Sequence, residues 1–188
     1  SGSQRSLVKI FENNYATTPQ QAFASLPIAE FEAFGKKYTS GVSLATGDIN
    51  GDGIIDIVVG SNKGQVSQIA AFSMLDPQVW AFTQILSITP FGSKFKGGVS
   101  VSAGDINGDG HADIIAGAGT KGNSQVQIFN GTTGAAMGSS FTAFPSKTKL
   151  PVNVCAKDLD GDCIIGEIFT AVGSDSKNIP IKRYLPNG

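Results

Sequence analysis

Net charge and long apolar runs are both scarce in this chain, and each shortage excludes a class of protein, whereas the two cysteines are too few to indicate a compartment. Fourteen Lys and Arg residues balance fifteen Asp and Glu residues, so no basic field exists to attract nucleic acid. No run of eighteen apolar residues appears, which argues against a membrane span. The opening residues Ser-Gly-Ser-Gln lack the charged and apolar stretches of a signal peptide. We therefore expect neither a nucleic-acid partner nor a membrane-spanning segment.

Glycine is abundant by contrast, with 24 among 188 residues. Hydrophobic residues make up 40% and charged residues 15%, a balance typical of globular and not of disordered chains. The glycines are spread between short apolar runs, where they favour tight turns. The composition therefore predicts a globular all-β protein.

Three copies of one pattern occupy most of the chain. Residues 33–53 (AFGKKYTSGVSLATGDINGDG) align without gaps with residues 90–110 (PFGSKFKGGVSVSAGDINGDG) and residues 143–163 (AFPSKTKLPVNVCAKDLDGDC). The first two copies continue in step to residues 72 and 129, whereas the third needs two extra residues to reach its equivalent aromatic residue. Self-similarity at this period indicates a repeat architecture.

Each repeat has the pattern of four short strands. In the first repeat, residues 41–45 and 65–72 alternate between apolar and polar side chains, and residues 80–91 supply a final strand. Residues 54–60 are an apolar, β-branched run typical of a strand buried on both faces. Four strands in about 55 residues is the size of one propeller blade. Residues 7–11 and 21–34 match the third and fourth strands of a preceding unit.

The expected fold is all-β, with β-propeller-type blades of four antiparallel strands in a single repeat domain, residues 1–188. It contains a partial blade, two full blades and an incomplete blade, at residues 1–40, 41–91, 98–144 and 151–188. Closed propellers usually need four or more blades, and open sheet edges are a hazard that proteins cover or pair. We expect the chain to be part of a longer propeller or to complete its sheets with another chain.

An acidic loop between the first and second strands of each repeat is the candidate metal site. Oxygen-bearing side chains stand at positions 1, 3, 5 and 9, glycine at position 6, and a backbone carbonyl at position 7. Such a curled, oxygen-only donor set suits calcium, although an Asp/Asn/Gly turn that binds nothing is the alternative. The predicted ligands are Asp48, Asn50, Asp52, Ile54 and Asp56 in the first loop, and Asp105, Asn107, Asp109, His111 and Asp113 in the second.

The third loop departs from this pattern, and whether it binds calcium stays open. Cys163 replaces the glycine, and Gly166 stands where the ninth-position acid belongs, with Glu167 one place further on. Cys155 lies on the strand entering the loop, so either a disulfide to Cys163 or two buried thiols are expected. The candidate ligands here are Asp158, Asp160, Asp162, Ile164 and Glu167.

Other readings of these motifs fail on position or on context. An EF-hand needs glutamate at position 12, where the three loops carry Val59, Ala116 and Phe169. The single histidine, His111, has no nucleophile at a sharp turn nearby and is expected to be a solvent-facing loop side chain. The glycine-rich segment 117–122 leads into a strand and not into a phosphate-binding helix. No catalytic residue is therefore predicted.

Several of these motifs together resemble FG-GAP repeats. They are Phe34-Gly35, the two Asp-Ile-Asn-Gly-Asp-Gly loops, and the segments Val59-Gly60 and Ala116-Gly117-Ala118. FG-GAP repeats are the blades of integrin α-subunit heads and of many bacterial surface proteins, and the resemblance covers nearly the whole chain. It implies calcium in the loop between the first and second strands and an extracellular or cell-surface role in adhesion, recognition or assembly. The proline of the GAP motif is missing from every copy.

Two functional hypotheses follow from these observations. The first is an extracellular, calcium-stabilised recognition or adhesion module that binds a protein or glycan partner through loops between strands, which vary most in length between the third and fourth strands. The second is a structural subunit that self-associates into dimers or filaments by edge-strand pairing. A non-catalytic domain of a larger secreted enzyme is a further alternative. Trp80, the single tryptophan, is either a sugar-stacking platform or a packing residue.

Overall fold

A computed structural model of the chain describes residues 7–12, 26–76, 78–145, 149–158, 167–173 and 181–184. These residues form strands and turns only, so the described part contains no helix that could cross a membrane. All strand pairs among them are antiparallel. The all-β class predicted from the sequence is confirmed.

The strands of the described residues are short, as expected of blades. In chain order they are β1 (Leu7–Ile10), β2 (Ala29–Glu32), β3 (Val42–Gly47), β4 (Asp56–Ser61), β5 (Ile69–Asp76), β6 (Ala81–Ile88), β7 (Val99–Gly104), β8 (Asp113–Ala118), β9 (Gln125–Phe129), β10 (Ala136–Thr142), β11 (Val152–Lys157), β12 (Glu167–Val172) and β13 (Lys182–Tyr184).

Neighbouring strands along the chain pair into four sheets, which we call blades. The partial blade is β1–β2, the first blade is β3–β4–β5–β6, the second blade is β7–β8–β9–β10, and the third blade is β11–β12–β13. The first strands of successive blades lie beside one another, β3 against β7 and β7 against β11. This arrangement is that of an open set of propeller blades, as the repeat predicted.

Hairpin register is the same in all three larger blades. The acidic loop is closed by the pair Gly47 and Asp56 in the first blade and by Gly104 and Asp113 in the second. In the third blade the closing pair is Lys157 and Glu167. The third loop, residues 158–166, is one residue longer than residues 48–55 or 105–112, and so Glu167 takes the backbone position of the ninth-position aspartates.

The strand predicted at residues 54–60 is buried as expected, but it begins two residues later than predicted. β4 begins at Asp56, and Ile55 lies in the loop with 59% of its surface exposed. Trp80 is also outside the strand predicted for it, in the turn before β6 with φ of 52°. Both residues border one incompletely covered face of the first blade, which the sequence pattern could not reveal.

Three apolar clusters fill the spaces between successive blades. Between the first and second blades, buried members include Val58, Ile69, Val101 and Ile114. The cluster between the second and third blades contains Ile115, Val126, Val152 and Ile168, and that between the partial and first blades contains Val8, Val59, Ala70 and Phe72. Because a fully buried Val or Ile contributes roughly 1.5–3 kcal/mol, these interfaces are the main stabilising contacts of the stack.

Close backbone approach between blades explains two of the repeat glycines. A Cβ atom at Gly60 would lie 2.9 Å from the carbonyl oxygen of Val99, and one at Gly117 would lie 2.5 Å from that of Val152. Only glycine lets the first strand of the following blade come so near. The Ser43 hydroxyl also donates a 2.8 Å hydrogen bond to the Val99 carbonyl, so both the first and the second strand of the first blade touch the second blade.

Candidate metal loops and a basic cleft

The first acidic loop is curled by hydrogen bonds from its own backbone to its side chains. Asp48 accepts from the N–H groups of Gly51 and Gly53, at 2.7 and 2.9 Å, through its two carboxylate oxygens. Asn50 accepts from the N–H of Asp52 at 3.0 Å, and both glycines have φ near the left-handed region, 75° and 81°. Asparagine, aspartate and glycine are favoured in such turns because they make these bonds and adopt positive φ without strain.

Asp56, at the ninth position, is fully buried at the start of β4. Its Oδ2 accepts a 2.9 Å hydrogen bond from the N–H of Ile49, whose side chain is itself buried in the core. Its Oδ1 has no hydrogen-bond partner among the described residues. A buried, unsatisfied carboxylate oxygen is costly, and such groups in proteins are usually paired or coordinate a metal ion.

The second loop repeats this geometry almost bond for bond. Asp105 accepts from the N–H groups of Gly108 and Gly110 at 2.7 and 2.8 Å. Asp109 accepts from the N–H of His111 at 2.9 Å. Asp113 is fully buried, and its oxygens accept 3.2 Å hydrogen bonds from the N–H groups of Ile106 and Gly131.

The carboxylates of the second loop influence one another electrostatically. Burial raises the pKa of Asp113 above its usual value, hydrogen bonds from backbone N–H groups oppose that rise, and the negative charges of Asp109 and Asp105 add to it. The pKa of Asp109 is lowered, chiefly by the N–H of His111. A divalent cation among these carboxylates would favour their charged forms and offset the cost of burying Asp113.

The first and second loops touch, and His111 makes the contact. A Cβ atom at Gly51 would overlap the His111 imidazole, 2.1 Å from its Cε1, so the ring lies directly on the Gly51 backbone. The Nδ1 atom is buried without a hydrogen-bond partner among the described residues. The N–H of Ala112 also donates to the Asp48 carbonyl at 2.7 Å. The expectation of a solvent-facing His111 is therefore wrong, because the adjacent blade brings Gly51 against it.

The third loop lies mostly outside the described residues, including Asp160, Asp162, Cys163 and Ile164. Glu167 is buried on β12 and forms a 2.5 Å ion pair with Arg183 on β13. Among the described residues, an arginine is thus the charged partner of this ninth-position acid. Cys155 is exposed, so the alternative of two buried thiols is wrong for this residue, and a bond to Cys163 stays a prediction. Asp158 directly follows the last residue of β11 and is partly buried.

The donor set of the first two loops fits calcium in chemistry. The side chains supply oxygen atoms only, and an ionised carboxylate has about four lone-pair sites, so accepting N–H bonds leaves capacity for a cation. Within the described residues, however, no group of three or more His, Cys, Asp or Glu side chains is disposed to hold a metal ion. The loops therefore carry oxygen atoms of the kind that calcium takes, and in this structure these atoms accept hydrogen bonds from the loops' own backbone.

A basic cleft lies at the opposite end of the blades, a feature that the sequence did not indicate. The acidic loops follow the first strands, whereas the turns after β4 and β8 and the segments before β7 and β11 lie at the other end. Two adjoining cavities of about 430 and 640 Å³ occur there, and among the residues that the structure describes no carboxylate lines either one. The lysines lining the larger cavity are Lys63, Lys94, Lys96 and Lys121.

The blades are joined by backbone hydrogen bonds at this cleft. The N–H of Gly64 donates to the carbonyl of Lys96 at 3.0 Å, and the N–H of Lys121 donates to that of Lys149 at 2.9 Å. Lys121 itself has φ of 68°, a left-handed conformation that only surrounding structure maintains. Lysines of the first and second repeats are thereby brought to one surface, although they are scattered in sequence.

Sheets of four antiparallel strands with an acidic loop in the first hairpin define the class of blade-repeat proteins. Residues 48–116 match the family model of the FG-GAP-like repeat, and this segment spans both complete acidic loops. This segment, a little over a third of the chain, is therefore similar to FG-GAP-like repeats, as the resemblance in the sequence indicated.

Two integrin alpha proteins are similar in sequence to about half of this chain. Integrin alpha-PS5 of Drosophila melanogaster is 33% identical over 97 residues, which is 49% of this chain and 10% of that protein. Integrin alpha-PS2 of the same organism is 30% identical over 109 residues, covering 49% of this chain and 8% of that protein. The chain thus spans about a tenth of the length of these relatives.

Proposed function

We propose that the chain is a non-catalytic, calcium-stabilised recognition module that binds an acidic protein or glycan partner outside the cell or at its surface. The observation that carries this proposal is the lysine-lined cleft at one end of the blades. The sequence similarity of the chain to FG-GAP-like repeats and to integrin alpha proteins supports a role in recognition. Protein surfaces of this kind, with loops on a rigid scaffold, are common sites of binding.

Charge is the property of the cleft that selects a partner. Lys63, Lys94, Lys96 and Lys121 are all exposed, and the ion pairs recorded among the described residues do not involve them. Like charges held close together repel one another, and this repulsion is relieved when an anionic group binds. Carboxylates of a protein or sulfates of a glycan supply such groups.

Calcium in this proposal is held by the acidic loops at the other end. Asp48, Asp52 and Asp56 would hold it in the first loop and Asp105, Asp109 and Asp113 in the second, together with the amide oxygens of Asn50 and Asn107 and the carbonyls at Ile54 and His111. Bound calcium would supply a positive charge that offsets the repulsion between these negatively charged carboxylates. The buried and unpartnered Oδ1 of Asp56 supports this assignment.

The position of the loops explains what calcium would do for the module. Because His111 rests on Gly51 and Ala112 bonds to Asp48, a change in the curl of one loop is transmitted to the next blade. A cation in each loop would fix this curl and thereby the packing of the first blade on the second. The cleft at the far end is built from the same two blades, so its lysines would keep their spacing.

Binding to immobilised glycans and acidic peptides tests the proposed recognition. We expect the calcium-loaded chain to bind heparin or polyglutamate but not neutral dextran, with affinity that falls as salt rises. Reversing two cleft charges, with Lys94→Glu and Lys121→Glu, should weaken binding at least about tenfold. The matched control is Lys157→Glu, an exposed lysine on the third blade, which should bind as the unchanged chain does. Equal binding by the cleft and control variants would contradict the proposal.

A further inference from the structure

One lysine of the cleft stands where the first repeat has glycine. The two complete acidic loops begin 57 residues apart, at Asp48 and Asp105, and the same offset makes Lys121 equivalent to Gly64. The strand pairs on either side of the two turns keep this offset, so the equivalence holds in the structure as well as in the sequence. The second blade therefore carries a long cationic side chain at a position where the first blade has no side chain.

The two residues make the same contact with the blade that follows. The N–H of Gly64 donates to the carbonyl of Lys96 at 3.0 Å, and the N–H of Lys121 donates to the carbonyl of Lys149 at 2.9 Å. Both have positive φ, 123° for Gly64 and 68° for Lys121. Glycine adopts such backbone conformations at little steric cost, whereas lysine does not. The fold therefore needs a backbone N–H and a positive φ at this position, and glycine supplies both.

The turn that carries Lys121 is strained at further positions. Asn123 and Ser124 have φ of 52° and 56°, so three of the four residues 121–124 are non-glycine residues with left-handed backbone. In the equivalent turn of the first blade, residues 64–67, only the glycine has positive φ. Left-handed backbone at residues other than glycine costs free energy, and it occurs frequently at binding sites. The strain is thus specific to the turn that brings Lys121 to the cleft.

Lys121 also adds like charge to the cleft. The cavity of about 640 Å³ that it lines is lined by Lys63, Lys94 and Lys96 as well, and all four side chains are exposed. A fourth ammonium group beside three others increases their repulsion. Lysine at this position therefore costs stability twice, through its backbone and through its charge. An anionic ligand held by the fourth charge explains why it is there.

The other lining residues indicate which anion fits. The cations that line this cavity among the described residues are lysines, and they are accompanied by Thr120, Gly64, Gly97 and Phe95, whose ring is half-buried against Phe91. A planar carboxylate is best matched by the planar fork of arginine, whereas the lysine ammonium is a compact charge with three donors. Protein partners depend on exposed aromatic and arginine anchors, which the described lining lacks. These features favour a tetrahedral oxyanion on a polar polymer over an acidic protein.

We propose that the cleft binds the sulfate groups of a sulfated glycan and that Lys121 is one of the residues that contact them. The oxygens of a sulfate point in several directions, so ammonium groups that come from separate turns can donate to one sulfate or to neighbouring sulfates of a chain. This inference rests on the proposed function and deepens it, because it chooses the glycan over the acidic protein as the partner.

Heparin and heparin stripped of its sulfates test the choice of ligand, because both glycans keep their carboxylates. In the presence of calcium, we expect the full chain to bind heparin at least about tenfold more tightly than desulfated heparin or polyglutamate. Equal binding of these three polymers overturns the choice of a sulfated glycan and leaves the proposed function standing. Polyphosphate that binds as tightly as heparin also overturns it, since charge density alone would then decide. If none of the polymers binds, the proposed function fails too.

Lys121→Gly separates binding from folding. Glycine relieves the left-handed backbone and restores the residue of the first repeat, so the urea midpoint of unfolding should stay the same or rise. Binding to heparin should nevertheless weaken about tenfold and depend less on salt, because one ammonium contact is lost. Lys121→Asn also removes the charge, and asparagine tolerates left-handed backbone, so it should weaken binding to a similar extent. The matched control is Lys157→Ala, an exposed lysine at the opposite end of the third blade, which should bind heparin normally.

Three results would overturn the role of Lys121. One is unchanged heparin binding by both Lys121→Gly and Lys121→Asn. Another is a loss of binding in Lys157→Ala as large as theirs, because position in the cleft would then not matter. The last is a lower urea midpoint in Lys121→Gly, because the lysine side chain would then support the fold and its backbone strain would need no ligand to explain it.

Discussion

Asp56→Asn should change the stability of the chain differently with calcium and with chelator. The structure has one Asp56 oxygen accepting from the N–H of Ile49 and the other buried without a partner among the described residues. Asparagine keeps an oxygen for Ile49 and removes the buried charge. In chelator we therefore expect a change between neutral and about 2 kcal/mol of stabilisation.

With calcium the same substitution removes a predicted ligand. An ion that binds only the folded state adds RT ln(1 + [L]/Kd) to the free energy of unfolding, about 2.7 kcal/mol per site at a hundredfold excess over Kd. The effect of Asp56→Asn should thus be less favourable by about 2.7 kcal/mol with calcium than with chelator. For a chain of this size that is a difference in Tm of about 5–10 °C.

Urea unfolding in calcium and in chelator, followed by far-UV circular dichroism, measures this difference. Asp76→Asn is the control, because Asp76 caps the turn after β5 through the N–H of Gln78 and lies outside both loops. Its effect should be equal in the two conditions. If Asp56→Asn also has the same effect in both, calcium does not use Asp56 and the assignment of the first loop is refuted.

Three further predictions concern other parts of the chain. Burial raises the pKa of Asp113 above 3.8, so in chelator the folded protein keeps the Asp113 proton to higher pH than the unfolded chain does. The resulting stabilisation is present below pH 3.8 and is lost as the pH rises through the raised pKa. In urea unfolding measured across pH, Asp113→Asn should remove this loss of stability. Gly117→Ala should cost roughly 1–3 kcal/mol in urea unfolding through the clash with the Val152 carbonyl. A cost no larger than that of Gly41→Ala, whose Cβ would make only a 3.4 Å contact with the Asn62 side chain, would contradict the close approach. Mass spectrometry without reductant should find Cys155 bonded to Cys163, and two free thiols would remove that prediction.

The repeat made most of the fold predictable. Blade number, strand order and the location of the acidic loops follow from a pattern whose copies each specify the same hairpins, and β1 and β3 begin within one residue of the predicted positions. Alternation of apolar residues fixes which side of each strand faces a neighbouring blade. It does not say whether that neighbour is complete, and for this reason the exposure of Ile55 was not predicted.

The other features that the sequence did not predict, the packing of His111 and the lysine cleft, arise from contacts between repeats. His111 lies on Gly51, 60 positions away, because hairpins of adjacent blades stand side by side. The lysine cleft forms for the same reason, since Lys63, Lys96 and Lys121 come from separate turns that meet only after the blades stack. The pairing of Lys157 with Glu167 is a partial exception, because the extra residue in the third repeat was visible in the alignment.

Calcium stoichiometry, measured by isothermal titration calorimetry on the chelator-stripped chain, tests the central claim most directly. Tight uptake of two ions by the unmodified chain, one by Asp48→Ala, and none by the variant that also carries Asp105→Ala is the predicted result. No heat of binding in the unmodified chain, or undiminished uptake by the double variant, would contradict it.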